Sequence, residues 1–179
     1  MSREGTLKKP RKLYVLDPKG SATIVGEYRY NLFRWWTEDP ADTRFVNFIM
    51  LNPSTADATQ DDPTIRRCVH YAYSWGYSRM VVTNLFALRS TDPKVLMKHR
   101  DPVGPENDQH LVHWARSAAL VVCAWGNEAP GKRADRVWQL LAGVPLHYLR
   151  LNETGHPAHP LYLPANLRPL SWALTQQSQ

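Results

Sequence analysis

At 179 residues, with 43% hydrophobic and 21% charged residues, the chain is long enough to bury a sizeable core and too apolar to be disordered. No apolar run approaches bilayer length, and the N-terminus MSREGTLKKPRK has no apolar signal core, so a cytoplasmic protein without a membrane partner is expected. The net charge of +6 is concentrated at one end: residues 1–12 carry +4 of it, which predicts a flexible basic arm on a single α/β domain over residues 13–179 and argues against a basic nucleic-acid-binding body.

Leu13–Leu16 and Ala22–Tyr30 are short β-like runs, separated by the turn sequence Asp17-Pro18-Lys19-Gly20. They lead into the aromatic stretch Tyr30–Trp36, which reads as core cover or a lid. Phe45–Leu51 (FVNFIML) is apolar at six of seven positions, the pattern of a strand covered on both faces. Asn52-Pro53-Ser54-Thr55 breaks it abruptly. Pro63 then opens a helix whose apolar positions Ile65, Cys68, Val69, Ala72 and Tyr73 recur at helical spacing. Met80–Leu85 is a second buried strand, followed by a short helix from Asp92-Pro93 to about Lys98 and a longer one over Glu106–Ala118. Leu120–Trp125 is a third strand, Lys132–Ala142 a helix and Val144–Leu151 a fourth strand. Leu161–Leu163 reads as a last extended piece.

The order β-α-β-α-α-β-α-β, with unalternating apolar strands, predicts a mainly parallel sheet with helices on both faces. Its four strand exits, LNPST, TNLFALRST, AWGNE and LNETGHPAHP, then fall along one rim and converge on one crevice.

The chemistry those exits can carry is narrow. Cys68 and Cys123 sit apart in apolar stretches and read as reduced core thiols. No zinc-type cluster, no GxxxxGKS/T loop, no GxGxxG and no GxSxG frame occurs, so no cofactor is expected. Asn52 and Asn84 offer a donor and an acceptor in fixed geometry, suited to an amide or nucleobase edge; either can equally be a turn residue. Asp57, Asp61 and Asp62 can position water or accept a proton, hold a metal together, or cap a helix. His156 and His159, in the rigid loop HPAHP, can stabilise developing negative charge. Ser54 and Thr55 line the first turn, and Arg66 and Arg67 can grip a phosphate or form a solvated face. Trp125, beside Gly126-Asn127, can stack on a flat ligand or lie in the core, with Asn127 at the same rim.

The blocks FIMLNPSTAD, DDPTIRRC, VVTNLFALRSTDP, DPVGPEND, AWGN and GHPAHPLYLP resemble, in order, the pattern of the bacterial DUF1643 family over about Arg29 to Pro164. A more distant resemblance is to uracil-DNA glycosylases and their mismatch-specific relatives. LNPS at Leu51–Ser54, VVTNL at Val81–Leu85, AWG at Ala124–Gly126 and HPAHPL at His156–Leu161 are similar to that superfamily's strand-end motifs and come in the same order. The resemblance implies a three-layer α/β/α sandwich. It also implies Asn52 as the water-positioning residue, Asn84 as the base reader, and His156 or His159 as the group stabilising the leaving base. Leu51 stands where a glycine is usual, Leu161-Tyr162 replaces leucine-serine, and DDPTIRRC has no counterpart. Three readings follow: a glycosylase-like enzyme acting on a nucleobase, nucleotide or nucleic acid; a non-catalytic binding module for the same ligands, with Arg66 and Arg67 on phosphates; and a metal-assisted hydrolase built on Asp57, Asp61 and Asp62.

Overall fold

The computed structural model describes residues 18–172; the basic arm and the run Leu13–Leu16 lie outside the described residues. The fold is mixed α/β, with seven strands and four helices. In chain order these are β1 (Lys19–Val25), β2 (Tyr28–Trp35), β3 (Val46–Met50), α1 (Pro63–Ser74), β4 (Arg79–Asn84), α2 (Pro93–Leu96), α3 (Asn107–Ser117), β5 (Leu120–Cys123), α4 (Gly131–Leu140), β6 (Leu146–Tyr148) and β7 (Leu170–Ser171).

All seven strands form one sheet in the order β1-β2-β4-β3-β5-β6-β7. The four apolar strands make its parallel centre, with Val46 opposite both Met80 of β4 and Leu120 of β5, and Val121 opposite Leu146 of β6. The margins are antiparallel: β1 on β2, β2 on β4, and β7 on β6. The expected mainly parallel sheet therefore describes the centre only. From β3 the chain moves through α1 to β4 on one side, then returns through α3 to β5 on the other. Strand order reverses between β3 and β5, the place where open α/β sheets leave a crevice.

Alternation along the strands divides the core. Val46, Phe48 and Met50 of β3 and Val122 of β5 pack with Ile65, Cys68, Val69 and Ala72 of α1. Ile49, Val121 and Cys123 pack instead with Leu111 and Ala115 of α3 and Ala134 and Val137 of α4. Both cysteines are free and fully buried, and burial pushes their thiols up, as expected of core residues.

Two margins differ from the sequence reading. The turn expected at Asp17–Gly20 is displaced: Lys19 and Gly20 already belong to β1, and the reversal falls at Gly26-Glu27, where Gly26 has φ +58°. Tyr28–Trp35 is neither lid nor loose cover but a strand of the sheet, burying Arg29, Asn31 and Arg34 among its aromatics. At the other end, the extended piece at Leu161–Leu163 is largely a 3-10 turn over Pro160–Tyr162 packed near α1. Its continuation is tied to the helix by Tyr71 Oη donating to the Pro164 carbonyl (2.6 Å) and Trp75 Nε1 to that of Leu167 (3.0 Å).

Candidate functional site

A cavity of about 540 Å³ opens at the C-terminal ends of the parallel strands, within the usual range for small-molecule sites. All four strand exits contribute: Asn52 and Ser54 after β3, Asn84 ending β4, Trp125 and Asn127 after β5, and Asn152 and His159 after β6. Asp62 and Thr64 at the start of α1, Ser90 and Thr91, Arg29 of β2 and Tyr162 also line it, and Glu128 and Arg150, both exposed, add a charge of each sign. The crevice predicted from the chain order is therefore present, and Asn52, Asn84 and one of the two histidines share it.

Backbone hydrogen bonds carry the β3–β4 pairing past the strand ends and fix the rim. The N–H groups of Leu85 and Phe86 donate to the carbonyls of Met50 and Leu51, both at 2.9 Å. From behind, buried Asn107 of α3 donates through Nδ2 to the carbonyls of Asn84 and Leu85, both at 3.0 Å, and Arg133 Nε donates to that of Leu85 at 2.7 Å. The Asn84-Leu85 backbone is thus held from three elements. The Asn84 side chain is not: it is 1% exposed, yet neither its amide oxygen nor its nitrogen has a partner among the described residues. A buried amide with neither bond made costs roughly 1–3 kcal/mol per unsatisfied group. Trp125 repeats the pattern. It is 2% exposed and packs near Trp172 (5.8 Å between centroids), so its ring is core rather than a stacking platform, but the residue lines the cavity and its indole N–H has no partner among the described residues.

Asn52 and His159 are oriented by contacts to the backbone, two for Asn52 and one for His159. Asn52 Nδ2 donates to the carbonyls of Ser90 (2.8 Å) and Pro53 (3.0 Å), which assigns the amide and leaves Oδ1 as the acceptor at the cavity. His159 Nδ1 accepts the N–H of Leu161 at 3.3 Å, so the neutral ring carries its proton on Nε2. Burial, opposed by the nearby Asp62 carboxylate, holds the imidazole below its usual value. The ring is a neutral donor at neutral pH. Gly126 permits this packing: at φ +77° it turns the chain directly after Trp125, donates to the Pro157 carbonyl (2.8 Å), and lies beside the His159 Cβ.

Other expected site residues serve the loop between β3 and α1. Asp57 Oδ1 accepts the N–H groups of Thr59 (2.8 Å) and Gln60 (2.9 Å), which lower its carboxyl below the usual range. Asp61 pairs with Arg34 Nε at 2.7 Å, and Asp62 Oδ1 caps α1 by accepting from Ile65 N–H at 2.8 Å. The three carboxylates thus hold three separate structural positions. Among the described residues no group of three His, Cys, Asp or Glu side chains is placed to hold a metal ion. Of these three, only Asp62 lines the cavity. Thr55 and Arg66 are exposed, Arg67 is half-buried, and none of them lines it; Arg66 donates to the Asp61 carbonyl (2.7 Å). His156 is half-buried off the cavity, its carbonyl accepting from Asn152 N–H (2.8 Å). Asn127 joins the last two exits, its Oδ1 accepting from Asn152 Nδ2 (2.8 Å) and Thr154 Oγ1 (2.7 Å).

Two arginines that sequence reasoning passed over organise this side. Arg34, 1% exposed, donates to Asp61 and to the carbonyls of Phe33, Asp57 and Gln60. Arg29, 2% exposed, donates from Nη1 to the Ala56 carbonyl, while its Nε is buried without a partner. Burial lowers the Arg29 pKa to about 10, against the attraction of Asp62. β2 lies between the largely exposed β1 and the buried β4, and nothing in its sequence marks it as buried.

The family model described as protein of unknown function DUF1643 matches residues 29–161, and the chain belongs to that family. No curated protein and no solved structure matches it.

Proposed function

We propose that the cavity binds a ligand carrying a nucleobase and that the protein hydrolyses its N-glycosidic bond, on a three-layer α/β/α scaffold of the uracil-DNA glycosylase kind. The observation that carries this reading is Asn84: a buried, rigidly placed amide with both hydrogen-bonding atoms unpaired at a cavity wall is complementary to a donor–acceptor base edge. The scaffold reading rests on the two cores, α1 on one side and α3 with α4 on the other.

Three residues divide the reaction. Asn84 holds the base edge. Asn52 Oδ1 accepts a hydrogen bond from a water and orients its oxygen towards the anomeric carbon. The bond from that carbon to the base nitrogen breaks with its electron pair leaving on the base, and His159 Nε2–H donates to the negative charge developing there. Water oxygen bonds to the sugar, and the water proton ends on the base, so the products are a free base and a sugar hydroxyl. The neutral imidazole suits this role because its Nε2–H hydrogen-bonds the developing charge and keeps its proton, leaving the water to supply the one the base takes up.

A non-catalytic module is the second reading, favoured by the carboxylates of the wall: Asp62, which could take a water's proton, caps α1, and Glu128 is exposed to solvent. Incubation of the full chain with nucleosides, nucleotides and base-modified single- and double-stranded DNA, read by mass spectrometry for released base, separates the two. Catalysis predicts base release that Asn52→Ala abolishes while ligand binding survives. Binding without release from any substrate assigns the module, and release unchanged in Asn52→Ala removes the mechanism.

A further inference from the structure

Arg29 is the buried cation of the cavity, and base recognition does not use it; Arg150, in the same wall, is exposed. Arg29 comes from β2, outside the parallel strands whose exits form the rim, and lines the cavity with the residues above. Its guanidinium is buried, one N–H donates to the Ala56 carbonyl, and Nε has no acceptor among the described residues. Arg34, on the same strand and equally buried, shows what a completed site looks like here: a carboxylate, Asp61, and three carbonyls surround it. Arg29 forms no ion pair among the described residues, and the Asp62 carboxylate near it is engaged on the α1 cap. A guanidinium has five N–H donors in a fixed fork and no acceptor, so a buried one is completed by anionic oxygens. Ser54, Thr64 and Thr91, hydroxyl-bearing residues in the same wall, are further partners for such oxygens, and about 540 Å³ leaves room for more than a lone base.

We propose that Arg29 is a phosphate-binding residue of this cavity, so that the ligand is a nucleotide, held at its base by Asn84 and at its phosphate by Arg29. This rests on the base-reading function of the cavity. The phosphate belongs either to a free mononucleotide or to a nucleotide within a strand; both offer the same oxygens to the guanidinium.

The test is calorimetric titration of the full chain with four probes for each common base: nucleoside, nucleoside 5′-monophosphate, a trinucleotide centred on that base, and ribose 5-phosphate without a base. The proposal expects the monophosphate or the trinucleotide to bind at least about tenfold tighter than its nucleoside, with the gain shrinking as salt rises. Which of the two gains more identifies the source. Arg29→Gln removes the gain and leaves nucleoside affinity within about twofold, whereas Asn84→Ala weakens every base-bearing probe and leaves ribose 5-phosphate unchanged. Equal affinity of nucleoside and nucleotide at low salt overturns the proposal even if Arg29→Gln does not fold. Phosphate-dependent binding that ignores the base and Asn84→Ala keeps Arg29 and removes base reading. Failure of all four probes to bind overturns both.

Discussion

Arg34 and Arg29 lie on one strand, five residues apart and equally buried, yet their surroundings differ. Around Arg34 every neighbouring group is matched: Asp61 supplies the charge, three carbonyls take N–H groups, and the loop from β3 to α1 is moulded on it. Around Arg29, Asn84 and Trp125 of the cavity wall, buried donors and an acceptor have no partner among the described residues. One region uses buried polarity to specify the fold. The other keeps buried polarity unmatched, at a cost to stability, where a ligand can complete it. The lesson is that burial of a polar group is not itself a sign of function; burial together with a missing partner at a cavity is.

The comparison breaks most visibly at Arg34. Arg34→Ala leaves Asp61 and the loop carbonyls without their partner, and should cost about 3–5 kcal/mol in urea unfolding. A loss below about 1 kcal/mol would mean that the loop does not depend on that pairing. Gly20→Ala attacks the same region from β1, because a Cβ there meets Arg34 Nη1 and the Ala58 carbonyl, the latter at 2.5 Å. Overpacking of this kind should cost about 1–3 kcal/mol, read in the same unfolding experiment, and Gly20→Ser should be no better. Asp62→Ala removes the side-chain cap of α1 and should cost about 1 kcal/mol, with Asp62→Asn recovering most of it.

These sites also mark where the sequence stopped being informative. The parallel centre was legible because strands buried on both faces become uninterrupted apolar runs, as in FVNFIML and LVVCAW, and parallel order then sends their exits to one rim. Asn84 was legible for the same reason, as a polar residue ending such a run. β2 was not, because YRYNLFRW places two arginines and an asparagine in a buried strand, and charge in a short aromatic run suggests a solvent face. Nor could the acidic cluster be resolved: a carboxylate that caps a helix and one that serves a site occur in the same sequence setting, and only the partners of Asp57, Asp61 and Asp62 tell them apart.

Acid should weaken the fold through His159 and His110, both held by burial below their ordinary value of 6.5. In the unfolded chain each takes up its proton near pH 6.5, while the folded chain resists until a lower pH. Stability is therefore full above about pH 6.5 and is lost as pH falls through the lowered folded values. Unfolding midpoints measured between pH 5 and 8 should fall on the acid side, and His159→Gln should flatten part of that fall. An unchanged slope in that variant would place the effect elsewhere.

The smallest expected change in stability carries the central claim. Asn84→Ala relieves two polar groups unpaired among the described residues and loses the packing of one buried side chain, effects of opposite sign, so urea unfolding should shift by less than about 1 kcal/mol, in either direction. Binding of base-bearing ligands to the same purified variant, measured by calorimetry beside the wild type, should fall by at least about tenfold. Wild-type binding, with affinity lost and stability kept, is the predicted result. Undiminished affinity in Asn84→Ala, or a stability loss as large as that of Arg34→Ala, would show that the unmatched polarity of the cavity does not serve a base.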